Sequence, residues 1–170
     1  MPGGGSLYFR ICETWMLRNS GRGLLAAKGE WLNSVHASGA SVDYTNRSSC
    51  PSCHIHQGFL DYLATGIVSP PYDEAGAIHC FTCHAPHTTG TLALRTTAPV
   101  VLANSVTFDN GQANLCANCH KSRTDVRTVV DGISITVRFG PHHSVQGDLI
   151  EGTGGYEFEG YTYNQTNHKG

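Results

Sequence analysis

Charge is scarce in this chain. Asp, Glu, Lys and Arg together make up 14% of 170 residues, the formal net charge is −2, and basic residues do not cluster. Neither nucleic acid nor an anionic membrane surface is therefore implied as a partner. Long apolar runs are missing too: the clearest are GLLAA from Gly23 and APVVLA from Ala98. Neither approaches the roughly 20 apolar residues of a transmembrane helix. The opening "MPGGGSLYFRICETWMLRNSG" lacks a basic start followed by a clean apolar stretch, so it does not read as a signal peptide. Methionine is limited to Met1 and Met16. The length fits one domain or two small ones. With 20 glycines and so few aliphatic runs, something besides aliphatic side chains is expected to fill part of the interior.

What the chain does have is cysteine and histidine in a pattern. Six of its seven cysteines fall into "CPSCH" (Cys50, Cys53, His54), "CFTCH" (Cys80, Cys83, His84) and "CANCH" (Cys116, Cys119, His120). An odd count in such clusters does not suit a secreted disulfide framework. The leftover Cys12 reads as a small buried hydrophobe. A thioredoxin-like redox pair expects one CxxC opening a helix in a βαβ unit, and no such unit is visible. Zinc takes four thiolates from two CxxC knuckles, which leaves the third unpaired and gives no reason for a histidine behind each.

Covalent haem attachment accounts for every element of the pattern. Two intervening residues make one helical turn, matching the spacing of two vinyl groups on one side of a porphyrin. The next residue then aims its imidazole at the iron. With 10 histidines in 170 residues, three such placements by chance have a probability of about 2 × 10⁻⁴. Three c-type haems are expected, with His54, His84 and His120 as proximal ligands.

Seven histidines remain: His36, His56, His79, His87, His142, His143 and His168. With methionine so sparse, a second histidine on each iron is the expected arrangement. The Cα atoms flanking one iron must stand roughly 12 Å apart, whereas helical i,i+3 neighbours are about 5–6 Å apart. His87, three residues past His84, must therefore reach a neighbouring haem, which would lock two haems close together. The same geometry bars His56 and His79 from their nearest haems. His36, fourteen residues before Cys50, has room to fold over one. Of the pair His142 and His143, which follows a Gly140-Pro141 turn signal, one should ligate, and His143 is favoured. The expected distal set is His36, His87 and His143, with His142, His168 and His79 as alternatives. His56 reads as a surface or propionate-contacting residue, and His168 as part of a solvated tail.

The expected fold is mainly α with extensive loops, little regular secondary structure, a small β-hairpin and a haem-packed interior. Residues 1–30 form an N-terminal segment of uncertain character and 31–170 one trihaem domain. Helices are expected from about Gly23 to His36, with Trp31, Leu32 and Val35 on one apolar face, from Cys50 to Leu63, and from Asn114 to Ser122. Pro70-Pro71 marks a loop, and the Thr- and Val-rich stretch after the second motif should form short strands. "VRTVVDGISITVRF" reads as a hairpin around Asp131-Gly132.

"WLNSVHASG", "SCPSCHIHQGFLDYL", "CFTCHAPH", "LCANCHKSR" and "GPHHSVQGDLIEGTGGYEF" together resemble the multihaem c-type cytochromes of bacterial respiratory and extracellular electron transfer. The likeness runs from about Trp31 to the C-terminus. It implies a periplasmic or extracellular, low-potential, bis-histidine electron carrier and strengthens His36, His87 and the His142/His143 pair as ligands. It also implies that His168 serves a haem beyond these three, in a further haem domain or an adjacent subunit. Redox proteins are the expected partners. The alternative is a multihaem reductase acting on a nitrogen or sulfur oxyanion or a metal ion. That needs an open iron and a pocket of donors; Arg123 and Arg127, which follow the third motif, read better as a solvated helix end.

Overall fold

In the computed structural model the described residues are 21–38, 41–130, 142, 145–164 and 168. Cys12, His143 and the Asp131-Gly132 turn lie outside them. The described residues are mainly helical, with much loop and one small antiparallel sheet. Their helices are α1 (Gly21–Leu32), α2 (Val35–Ser38), α3 (Pro51–His54), α4 (His56–Thr65), α5 (Cys80–Cys83), α6 (Pro86–Thr89), α7 (Ala113–Ala117), α8 (Val126–Val130) and α9 (Gln146–Ile150). Strands β1 (Val100–Val101) and β2 (Thr107–Phe108) pair with Val100 opposite Phe108. The chain divides into two compact units, 1–82 and 83–170, and the division falls inside the second motif.

In the first unit the long helix expected to reach His36 breaks after Leu32. Asn33 Nδ2 donates to the Gly29 carbonyl at 2.9 Å, and Ser34 Oγ donates to the Trp31 carbonyl at 2.7 Å. Short polar side chains thus take carbonyls that continuing helix would use. The break also splits the expected apolar face. Trp31 anchors through Nε1–H to the Ile78 carbonyl at 2.9 Å, while Leu32 and Val35 are exposed.

A second interruption separates α3 from α4. Ile55 is extended (φ −134°, ψ 151°) and fully buried. Sending this β-branched side chain inward ends one helix and starts the next, and the His56 N–H finds its acceptor on the Gly76 carbonyl at 2.8 Å. Pro51, at the first turn of α3, packs against Gly58 so closely that a Cβ there would collide with the Pro51 carbonyl and ring. Gly66 closes α4 in the left-handed conformation (φ 74°), the ordinary role of glycine at a helix end.

The second unit is built on a small cluster of Val100, Leu102, Phe108 and Ala117, with Val106, Ala113 and Ile150 against it. Asn114 is fully buried beside these residues. Its Nδ2 donates to the Thr97 carbonyl at 2.8 Å and Asp109 Oδ1 at 3.0 Å, and its Oδ1 accepts the Asn110 N–H at 2.7 Å. A satisfied buried amide of this kind fixes α7 to the loop before it.

The strands expected after the second motif are present. The expected hairpin arm at Val126–Val130 is instead α8. Asp125 Oδ1 accepts the Arg127 N–H at 3.0 Å, capping the helix start, and this local bond outweighs the strand preference of Val and Thr.

Candidate functional site

The two cysteines of each motif are set across a helical turn. In the first, the Cys53 and His54 N–H groups both donate to the Cys50 carbonyl at 3.1 Å, and Cys50 itself is αR (φ −62°, ψ −35°). In the third, the Cys119 and His120 N–H groups donate to the Cys116 carbonyl at 3.1 and 2.8 Å. In the second, α5 covers Cys80–Cys83 and His84 follows it in an isolated bridge to Leu94. None of the six motif cysteines is in a disulfide; Cys116 is exposed and the others are half-buried. A turn of this kind brings residues i, i+3 and i+4 to one side of the helix, which is the placement the two thiols and the imidazole need.

The three motif histidines differ in what holds them. His54 stacks on Tyr44, with ring centres 3.9 Å apart and planes 14° from parallel, and the Arg47 guanidinium lies 5.3 Å from the Tyr44 ring centre. His84 Nδ1–H donates to the Leu92 carbonyl at 2.6 Å. The adjoining backbone is paired as well: His84 bridges Leu94, and the Arg95 N–H donates to the Cys83 carbonyl at 2.8 Å. His120 Nδ1–H donates to Gln146 Oε1 at 3.0 Å. A carbonyl or amide oxygen only accepts, so Nδ1 carries the proton in both rings and the neutral imidazole has its lone pair on Nε2. This is the tautomer that binds a metal through Nε2. The cysteine pairs across a helical turn, outside any disulfide, and the tautomers of His84 and His120 therefore fit covalently attached haem.

The remaining histidines are more scattered. His36 sits on α2 and His87 on α6, both exposed. His142 is half-buried with a positive φ of 100°. His168 is exposed, but its backbone is tied down by an N–H bond to the Ile150 carbonyl at 2.9 Å.

Two histidines do meet. The rings of His56 and His79 lie 4.2 Å apart, and His56 Nδ1 is 2.9 Å from the buried Thr82 Oγ1. His56, expected at the surface or on a propionate, is thus half-buried against His79. His79 Nδ1 accepts the Phe81 N–H at 3.2 Å, which puts the proton of the neutral ring on Nε2, the reverse of His84 and His120. Among the described residues no three His, Cys, Asp or Glu gather in a group able to hold a metal ion.

Tyr44, Gln146 and the Leu92 carbonyl carried no signal in the sequence. Each touches its histidine across eight or more residues of chain, and no short motif marks such a partner. No family model matches the chain, and neither a curated protein nor a solved structure is found similar to it.

Proposed function

We propose that the chain is an electron carrier of the multihaem c-type cytochrome kind, holding three covalently attached haems through Cys50/Cys53, Cys80/Cys83 and Cys116/Cys119. The observation that supports this reading is the threefold repeat of two cysteines outside any disulfide, set across a helical turn with a histidine directly behind, together with the metal-binding tautomer in His84 and His120. Each cysteine would hold its haem by a thioether, the S–H adding across a vinyl group with no change in redox state. His54, His84 and His120 present their imidazoles as proximal ligands. The distal ligands are His36, His87 and His143, with His142, His168 and His79 in reserve. Bound haem with two imidazole ligands supplies one-electron chemistry at an iron closed to substrate.

The chain's own contribution is to orient the imidazoles, fix their protons and set the local polarity. The formal charge of −2 becomes about −5 in the oxidised holoprotein, since each ferric haem adds two propionates and one net positive charge, and about −8 when reduced. Redox partners with basic docking faces follow from that sign, and attachment outside the cytoplasm places the mature protein in the periplasm or beyond the cell.

The test is a visible spectrum of protein matured in an export-competent bacterial host. Low-spin reduced bands indifferent to carbon monoxide are expected. A high-spin fraction that binds carbon monoxide would replace the carrier with a reductase.

A further inference from the structure

Beyond the attachment motifs, one short segment bonds a single motif at three successive positions. Gln146 Oε1 accepts from His120 Nδ1 at 3.0 Å, the Gly147 N–H donates to the His120 carbonyl at 2.8 Å, and Asp148 Oδ2 accepts the Ser122 N–H at 2.7 Å. Gly147 and Asp148 are buried, and Gln146 is exposed. A Cβ on Gly147 would meet the His120 carbonyl oxygen at 3.0 Å, so the close approach of α9 depends on glycine at this position. Behind the contact, the Thr153 N–H donates to the Asp148 carbonyl at 2.9 Å and holds the end of the segment.

We infer that Gln146 is a positioning residue that fixes the proton of His120 and thereby sets the reduction potential of the haem on Cys116 and Cys119. The inference rests on the proposed haem function and deepens it. An acceptor on Nδ1 pulls that proton and makes Nε2 a stronger donor to iron, which favours the oxidised state; weakening the acceptor does the opposite. Two features make Gln146 an effective acceptor. The two buried residues that follow it, Gly147 and Asp148, are themselves bonded to residues 120–122, so little freedom remains to be lost in making the contact. Its acceptor is also a side chain. His84 leans on the Leu92 backbone carbonyl, which is the same whatever residue occupies position 92. The His120 partner instead changes with the residue at position 146, which makes this haem's potential adjustable by one substitution.

The experiment uses the holoprotein and the variants Gln146→Leu and Gln146→Glu at pH 8, where the introduced carboxylate is ionised. Intact mass first counts the haems. Spectroelectrochemical titration with assigned paramagnetic NMR signals then gives a potential for each haem. Gln146→Leu removes the acceptor and should raise the potential of the third haem; Gln146→Glu supplies a stronger one and should lower it. Each change is expected to shift the reduction equilibrium up to about tenfold, or about 59 mV for a one-electron couple. The other two haems should move less. Opposite signs at one haem are not what general loosening of the fold would produce. Shifts of one sign in both variants, a larger shift at another haem, no shift, or loss of the third haem from both variants would overturn the inference. Wild-type protein lacking the three haems would bring down the functional reading itself.

Discussion

The first and third motifs share a five-residue pattern and a helical turn, yet they are held by different forces. Around Cys50–His54 the support is packing: Ile55 and Phe59 are buried, Pro51 lies against Gly58, and the His54 ring stacks on Tyr44. Around Cys116–His120 the support is hydrogen bonding from a distance, through Asn114 to residues 97–110 and through Gln146, Gly147 and Asp148 to residues 120–122. Packing tolerates small chemical changes and resists changes of volume. A buried hydrogen-bond network behaves in the opposite way, because each lost partner strands a polar group. One CxxCH pattern thus sits on two kinds of scaffold.

The largest test of that contrast is Asn114→Leu. Leucine keeps the side-chain branching but takes their partner from the Thr97 carbonyl, Asp109 Oδ1 and the Asn110 N–H. A loss of about 3 kcal/mol in denaturant-derived stability is expected from three lost hydrogen bonds at about 1 kcal/mol each. A cost near zero would mean that the network does not hold the third motif.

Next comes Gly58→Ala, which adds one methyl group where α4 meets Pro51. Because the obstructing atoms are backbone, the expected cost is about 1–3 kcal/mol, read from the same denaturation midpoint. A neutral result would show that α3 and α4 separate freely, against the packing account of the first motif.

The smallest effect belongs to the pair that caps α8. Its hydrogen bond with Arg127 holds the Asp125 carboxyl below its usual pKa. That stabilisation is present above the unfolded-state pKa and is lost as pH falls through the lower folded value. The Arg127 side chain is 62% exposed, so screening leaves the ion pair little weight. Arg127→Gln should leave the unfolding midpoint at pH 7 unchanged within error and slightly flatten its acid limb; a clear loss at pH 7 would overturn the reading of an exposed helix end.

Local bonding explains what was legible in the sequence. The turns at the three motifs and the short strands near Val100 and Phe108 follow from residue type and spacing within a few positions. Where local signals competed, the sequence misled. Asp125 as a cap defeated the strand preference of "VRTVV", and Asn33 and Ser34 ended a helix that apolar spacing had extended to His36. The support of the third motif was illegible for another reason. Gln146 meets His120 across 26 residues, and nothing in "SVQGDLIEG" marks a glutamine as the partner of an imidazole. The meeting of His56 with His79 was hidden in the same way, since it depends on Thr82 being buried between chain segments brought together by folding.

Intact mass spectrometry of the chain matured in a host that exports and attaches haem tests the central claim most directly. The account predicts a mass increased by three haem groups, with peptide mapping placing one on each of Cys50/Cys53, Cys80/Cys83 and Cys116/Cys119. A polypeptide that emerges with unmodified cysteines, or with zinc bound in place of haem, would contradict it.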